Sequence, residues 1–297
     1  SSSRGDVTEL IQTTINGLAS GSIYALGAIG LSLVYGILKL VNFAHGDYMT
    51  LGGYAAFVVN VSLGMPLVVA AVGAIVAGVA VSMIAEWAMW RPMRRRGAGV
   101  MQLLLMSIGL AFVLRNLILL VWTGEVRTLD VNQTQAWHPF DLTISLNQVI
   151  VIVSATVVLV GTGLLLKLTR LGKSMRALSD NPDLAEVTGI DTKRVITYTW
   201  ILAGSLAGLA GMFAAINTTL SPNTGWFLLL GIFAAVVLGG IGNPFGGLVG
   251  GLTIGLVQEW STMFVPPTYK EAVGFAVLIL VLLVRPQGIF GHSVRTA

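Results

Sequence analysis

Cysteine is absent from the chain, so neither a disulfide nor a thiolate metal site can form. Histidine is nearly absent. His45, His138 and His292 lie far apart in sequence and suggest no shared metal. Charge is scarce: Asp, Glu, Lys and Arg make up 10% of the 297 residues, against about 25% in a soluble domain. The signatures of catalysis are missing too. The sequence has no Gly-x-Ser-x-Gly nucleophile turn and no His-Glu-x-x-His helix. Gly239 to Gly247 is glycine-rich, but it lacks the Lys-Ser/Thr ending that supplies a nucleotide-binding loop with its lysine and magnesium ligand. No carboxylate pair sits at helical spacing inside an apolar run. An intramembrane enzyme or a proton-driven carrier is therefore hard to assemble from these residues. Any uphill work would need an outside source of energy.

What the chain has in abundance is apolar sequence. Hydrophobic residues make up 55% and the mean hydropathy is +0.84. Several runs reach the ~20 residues that span a bilayer as a helix. The expected fold class is an all-α polytopic membrane protein, one transmembrane domain over 1–297 with about nine spans, some broken or re-entrant. The first run, Leu10 to Leu38, is longer than a bilayer needs and should be tilted, kinked or broken. Its Gly17, Gly21 and Ala25 fall four apart, on one face suited to close helix packing. Further spans are expected at Met49–Leu63, Pro66–Trp90, Met101–Trp122, Gln148–Leu168, Val195–Ile216 and Ala272–Val284. Gly204, Gly208 and Gly211 give the Val195 span a small-residue face. Trp226–Gly240 and Leu248–Trp260 flank the glycine-rich break, as two ordinary spans or as half-helices meeting near the midplane.

Of the 17 Lys and Arg, 12 fall in 91–96, 167–194 and 285–295. The positive-inside rule puts those segments in the cytosol, with the N-terminus outside and the C-terminus inside. The net charge of +4 thus follows membrane topology rather than nucleic-acid binding. Thr123 to Asn147 is the longest polar loop and should be extracytoplasmic, with Trp137 and Phe140 as interface anchors. Arg115, inside a span, is expected to snorkel to the interface, with a role in the translocation path as the alternative. Ser1-Ser-Ser-Arg-Gly lacks an initiator Met and reads as a trimmed or appended terminus, with no signal peptide after it.

Two polar stretches interrupt this pattern. Asn42, His45 and Asp47 stand between apolar runs, where such groups line a cavity or are buried in protein; an ordinary interfacial loop is the alternative. Asn243, in the later glycine-rich break, is a weak internal echo of them. The second stretch is Arg176 to Ile190. Asn181 can cap a helix, Pro182 suits its first position, Asp183 and Glu186 suit its positive end, and Gly189 can stop it. The result is a two-turn helix from Pro182 to about Thr188, too short to stand alone. It reads as a docking peg for a soluble partner or, more plainly, as a loop with a turn of helix.

The chain resembles the permease subunits of ABC importers for branched-chain and neutral amino acids. Gly21-Ser-Ile-Tyr-Ala-Leu26, Val34-Tyr-Gly-Ile37, Asn42-Phe-Ala-His-Gly46, Arg91-Pro92, Leu171-Gly-Lys-Ser-Met-Arg-Ala177, Leu238-Gly-Gly-Ile-Gly-Asn243 and Leu282-Leu-Val-Arg-Pro-Gln-Gly-Ile289 carry the likeness. Such permeases dock their ATPase through a cytoplasmic Glu-Ala-Ala-x-x-x-Gly loop. Here Asp183-Leu-Ala185 precedes Gly189 with the same gap, and departs from the pattern at Asp183 and Leu184. The resemblance implies a coupling loop at about 170–194, with Arg176, Pro182, Asp183, Ala185, Glu186 and Gly189 meeting the ATPase. It implies cytoplasmic ATPase subunits holding ATP and magnesium, a second related permease, an extracytoplasmic solute-binding protein and a bacterial inner membrane. Asn42, His45, Asp47 and Asn243 are the candidates for the translocation path. The alternatives are a urea or short-amide permease, an ATP-independent channel or secondary carrier, and a membrane scaffold.

Overall fold

The computed structural model describes residues 2–131, 136–137, 143–285 and 287–290. Helix α1 (Ser2–Leu38) is 37 residues in one piece, roughly 55 Å long at the α-helical rise. The expected break comes after it rather than within it. α2 (His45–Phe57) continues through a π turn, Val58–Ser62. α3 (Leu67–Ala85) continues through a second π turn, Glu86–Trp90, into α4 (Arg91–Arg95). α5 (Val100–Trp122) and α6 (Leu146–Leu168) flank the polar loop. In that loop Ala136–Trp137 pairs with Ile144–Ser145 in a two-stranded ribbon. Of the two expected anchors, Phe140 lies outside the described residues and Trp137 is described by its backbone alone. α7 (Arg170–Asp180) and α8 (Pro182–Val187) follow, then α9 (Thr192–Asn217), α10 (Thr224–Gly239), α11 (Pro244–Ser261) and α12 (Lys270–Val284).

Among the described residues, six helical stretches are long and apolar enough to cross a membrane: Thr8–Leu38, Leu67–Arg95, Val100–Trp122, Leu146–Leu168, Thr192–Asn217 and Pro267–Val284. α10 is apolar but shorter. α2, α10 and α11 pack against α1 and α9, so their surroundings are protein and they need not be greasy on every side. The most apolar stretches of α1 and α9 are 89% and 83% buried, against 17% for α5 and 6% for α12. The bundle thus has a protein-enclosed centre and a lipid-facing shell.

Small residues build that centre. α1 and α11 run antiparallel with backbone on backbone. A Cβ added at Gly17 would meet the Leu256 main chain at 2.9 Å, and one at Gly21 the Leu252 main chain at 3.0 Å. Across the seam, Gly251 and Gly255 face Ala25 and Gly21. The expected small face of α9 is used in the same way: Gly204 abuts Gly78, Gly208 abuts Ala74 and Gly211 abuts Met49. Without a hydrophobic driving force in lipid, this close van der Waals contact is what joins the helices.

The glycine-rich break is not a pair of half-helices at the midplane. α10 and α11 form a tight hairpin through Gly240 and Gly242, whose φ values of 107° and 84° suit glycine alone. Gly242 lies against Gly36, near the C-terminal end of α1, which places the turn at one rim of the bundle.

Candidate functional site

The first polar site sits where α2 begins. Lys39 ends α1 in the left-handed region, φ 51°. Its ammonium donates to the Gly36 carbonyl at 2.8 Å, closing the helix end. Residues 39–44 then turn back into the bundle. His45 Nε2–H donates to the Gly27 carbonyl at 3.1 Å, which lies about eleven residues, or roughly 16 Å, back along α1. The chain therefore re-enters the centre beside the helix it has just left. Asn42 Oδ1 accepts the Ala44 N–H at 3.1 Å and helps start α2, while the Phe43 N–H donates to Ser107 of α5.

Asp47 is 1% exposed, and Arg115 of α5 holds it in a side-on fork: Nε to Oδ1 at 3.2 Å and Nη2 to Oδ2 at 3.3 Å. Arg115 does not snorkel. Its guanidinium lies 4.6 Å from the Trp226 ring centroid and 5.9 Å from that of Phe112, so aromatic faces replace the water it has lost. An acid and a base, each isolated in an apolar run, were a pairing signal that sequence reading passed over. Asn42, His45 and Asp47 thus come together, all 0–1% exposed. Tyr48 Oη, Asn42 Nδ2 and Trp90 Nε1 are buried together in this part of the bundle, and Trp200 Nε1 is buried without a hydrogen-bond partner among the described residues.

Asn243 does not join them. It caps α11 at the rim turn, its Oδ1 accepting the Phe245 and Gly246 N–H groups at 3.0 and 3.2 Å.

The second site is the α7–α8 hairpin at the same rim. Thr169 caps α7 by accepting the Gly172 N–H, and Arg176 Nη1 donates to the Leu166 carbonyl at 2.7 Å, tying α7 to the end of α6. Met175 and Leu178 point inward and are buried. α8 forms as its local signals dictate. Asn181 Oδ1 accepts the Leu184 N–H at 3.0 Å, Pro182 opens the helix, and Gly189 ends it at φ 86°. Pro182, Asp183 and Glu186 are exposed. Ala185 is not: at 2% exposure it is the inward anchor of α8, so its side chain cannot itself meet a partner in this state. The outward apolar residues are Leu184 and Val187, at 59% and 85% exposure. Residues three and four apart share a face of so short a helix, so the sequence could have shown them.

The two sites share a junction. The Gly36 carbonyl accepts Ser179 Oγ of α7 at 3.0 Å and the Lys39 ammonium. Lys39 also reaches the Ser179 carbonyl at 3.4 Å. A Cβ at Gly36 would press on the Gly242 carbonyl at 2.8 Å, so the α10–α11 turn meets the same point.

A family model described as branched-chain amino acid transport system / permease component matches residues 13–282. The chain is similar to the high-affinity branched-chain amino acid transport system permease protein LivH of Escherichia coli (strain K12), 33% identical over 296 residues covering 95% of this chain and 96% of that one. It is 31% identical over 301 residues to BraD of Pseudomonas aeruginosa, with 97% of each covered. Among solved structures, a chain of PsaBC from Streptococcus pneumoniae in complex with Fab superposes with a TM-score of 0.52 at 13% identity, covering 95% of this chain and 94% of that one; this likeness concerns the fold.

Proposed function

The chain belongs to the branched-chain amino acid transport permease family, and from that premise we propose that it moves its solute with work supplied through the α7–α8 hairpin by ATPase subunits in the cytosol. It is a multi-pass inner-membrane permease for branched-chain amino acids, a translocation subunit rather than an enzyme. The proposed partners are the ATPase pair, carrying ATP and magnesium, a second permease subunit, and a solute-binding protein on the outer face. The relatives are branched-chain amino acid permeases, which favours that solute class over urea or a short amide.

The observation that carries the coupling proposal is the hairpin itself: a capped helix anchored by Ala185 on one side and offering Leu184 and Val187 on the other. Exposed apolar side chains on a polar cytoplasmic face suit a cleft on a partner. Pro182, Asp183 and Glu186 would flank that contact. Arg176 and Gly189 would hold the hairpin's shape, and Ala185 its seat. A push on α8 would reach Gly36 through Ser179, and from there the re-entrant 39–44 segment. Asn42, His45 and Asp47 stay proposed for the translocation path on their depth in the bundle, but they are fully covered here and would meet solute only after that segment shifts. Asn243 would act at the rim, holding the α10–α11 turn.

The test is reconstitution of the full transporter with Leu184→Asp and Val187→Asp. Uptake and transport-stimulated ATP hydrolysis should fall together while the protein still inserts and melts as wild type. Retention of both would remove α8 from the coupling role. Uptake competition among leucine, proline and urea checks the solute class.

A further inference from the structure

We propose that the cytoplasmic end of α3 and α4 is a binding site for an anionic glycerophospholipid, its phosphate held by Arg91, Arg95 and Arg96 and its glycerol and acyl region lying against Trp87 and the outer face of α3. These four side chains, with Pro92, line a cavity of about 450 Å³. The charge is left over by construction. Glu86 is the only carboxylate in the segment, and it turns inward, 6% exposed, where Arg94 engages both of its oxygens, one at 3.0 Å. Arg91, Arg95 and Arg96 have no ion-pair partner among the described residues. Three uncompensated guanidiniums around one cavity call for an anion, and planar forks match phosphate oxygens well.

The apolar surroundings choose the kind of anion. Ala70, Ala74, Gly78 and Ser82 form the buried face of α3, against α9. Val72, Val76, Ala80 and Ile84 recur at the same spacing on the opposite, exposed face. Trp87 continues that stripe at 74% exposure, immediately before the arginines. The π turn Glu86–Trp90 sets the two tryptophans apart: Trp90 is fully buried and stacks on Trp200 at 6.4 Å, while Trp87 faces out. A π turn is a local departure from helix geometry that recurs at functional sites. A greasy stripe one bilayer leaflet long, an indole at the interface and a basic cavity below it reproduce in order the acyl chain, glycerol and phosphate of a lipid. A free phosphate would use the arginines and leave the stripe and Trp87 idle.

The experiment uses the purified full chain. Retention of phosphatidylglycerol is measured by native mass spectrometry after titration with phosphatidylglycerol in a phosphatidylcholine background, with inorganic phosphate and glycerol phosphate as soluble competitors. Each of Arg91→Gln, Arg95→Gln and Arg96→Gln should weaken retention about fivefold, as expected for one basic group at an anionic surface. Trp87→Leu should weaken it without changing charge, and Lys193→Gln should leave it unchanged. The proposal is overturned if the triple glutamine variant retains phosphatidylglycerol like the wild type, or if inorganic phosphate competes as well as lipid. A photo-crosslinker at position 95 that captures another protein subunit instead of lipid would also overturn it.

Discussion

At the start of α2 the polar side chains are turned on one another; at α7 and α8 they are turned outward. Asp47 is sealed against Arg115 and His45 against the Gly27 carbonyl, deep among apolar helices. The hairpin buries Gly172, Met175, Leu178 and Ala185 and leaves Pro182, Asp183, Leu184, Glu186 and Val187 exposed. The difference follows from the medium. In the centre of a bilayer-embedded bundle an unmatched charge has no water to turn to, so every charge there must be matched within the chain. At the rim, water is an acceptable partner until a protein replaces it. One region is committed to holding the fold, and the other is free to meet something else.

The strongest way to break this contrast is Arg115→Ala. It leaves Asp47 buried and unpaired and should cost about 3–5 kcal/mol, seen as a large fall in the melting temperature of the purified protein. Replacing Asp47 and Arg115 together with Asn and Met should recover much of that loss; a double variant as unstable as the single would show that the pair is not what holds the site. Next comes Gly208→Val, which drives a side chain into the Ala74 carbonyl across the α3–α9 contact and should cost about 1–3 kcal/mol. A wild-type melt in that variant would mean that the backbones do not meet there.

The rim should respond far less. Asn181→Ala removes the cap on the Leu184 N–H and should weaken α8 by about 1 kcal/mol. The loss should be local: faster hydrogen exchange at Leu184 and Ala185, with the global melt unmoved. If Asn181→Ala lowered the melt as Arg115→Ala does, the hairpin would belong to the core. Smallest of all, Glu186→Gln on the exposed face should leave stability within about 0.5 kcal/mol of wild type.

Sequence showed these regions unequally, for a physical reason. α8 was legible to within a residue or two because caps and stops are local: Asn181, Pro182 and Gly189 act on neighbours a few positions away. The small faces of α1 and α9 were legible because helical spacing alone reveals them. Asp47 and Arg115 were legible only as two lone charges in apolar runs; that they meet was not, since they lie 68 apart in sequence and their meeting depends on how α2 and α5 come together. The α10–α11 break was visible, but its depth was not, because glycines that break a helix at the midplane look the same as glycines that turn it at the rim. The burial of Ala185 was not foreseen, because the spacing of Leu184 and Val187, which marks the outward face of α8, went unused.

The glycine seam between α1 and α11 has one more consequence. Two main chains in direct contact have no rotamers to exchange, so the joint cannot loosen by small side-chain adjustments as an interdigitated one can. Whatever opens and closes this protein must leave that weld intact, so α1 and α11 should swing as a single girder and the bend must fall at joints made of side chains.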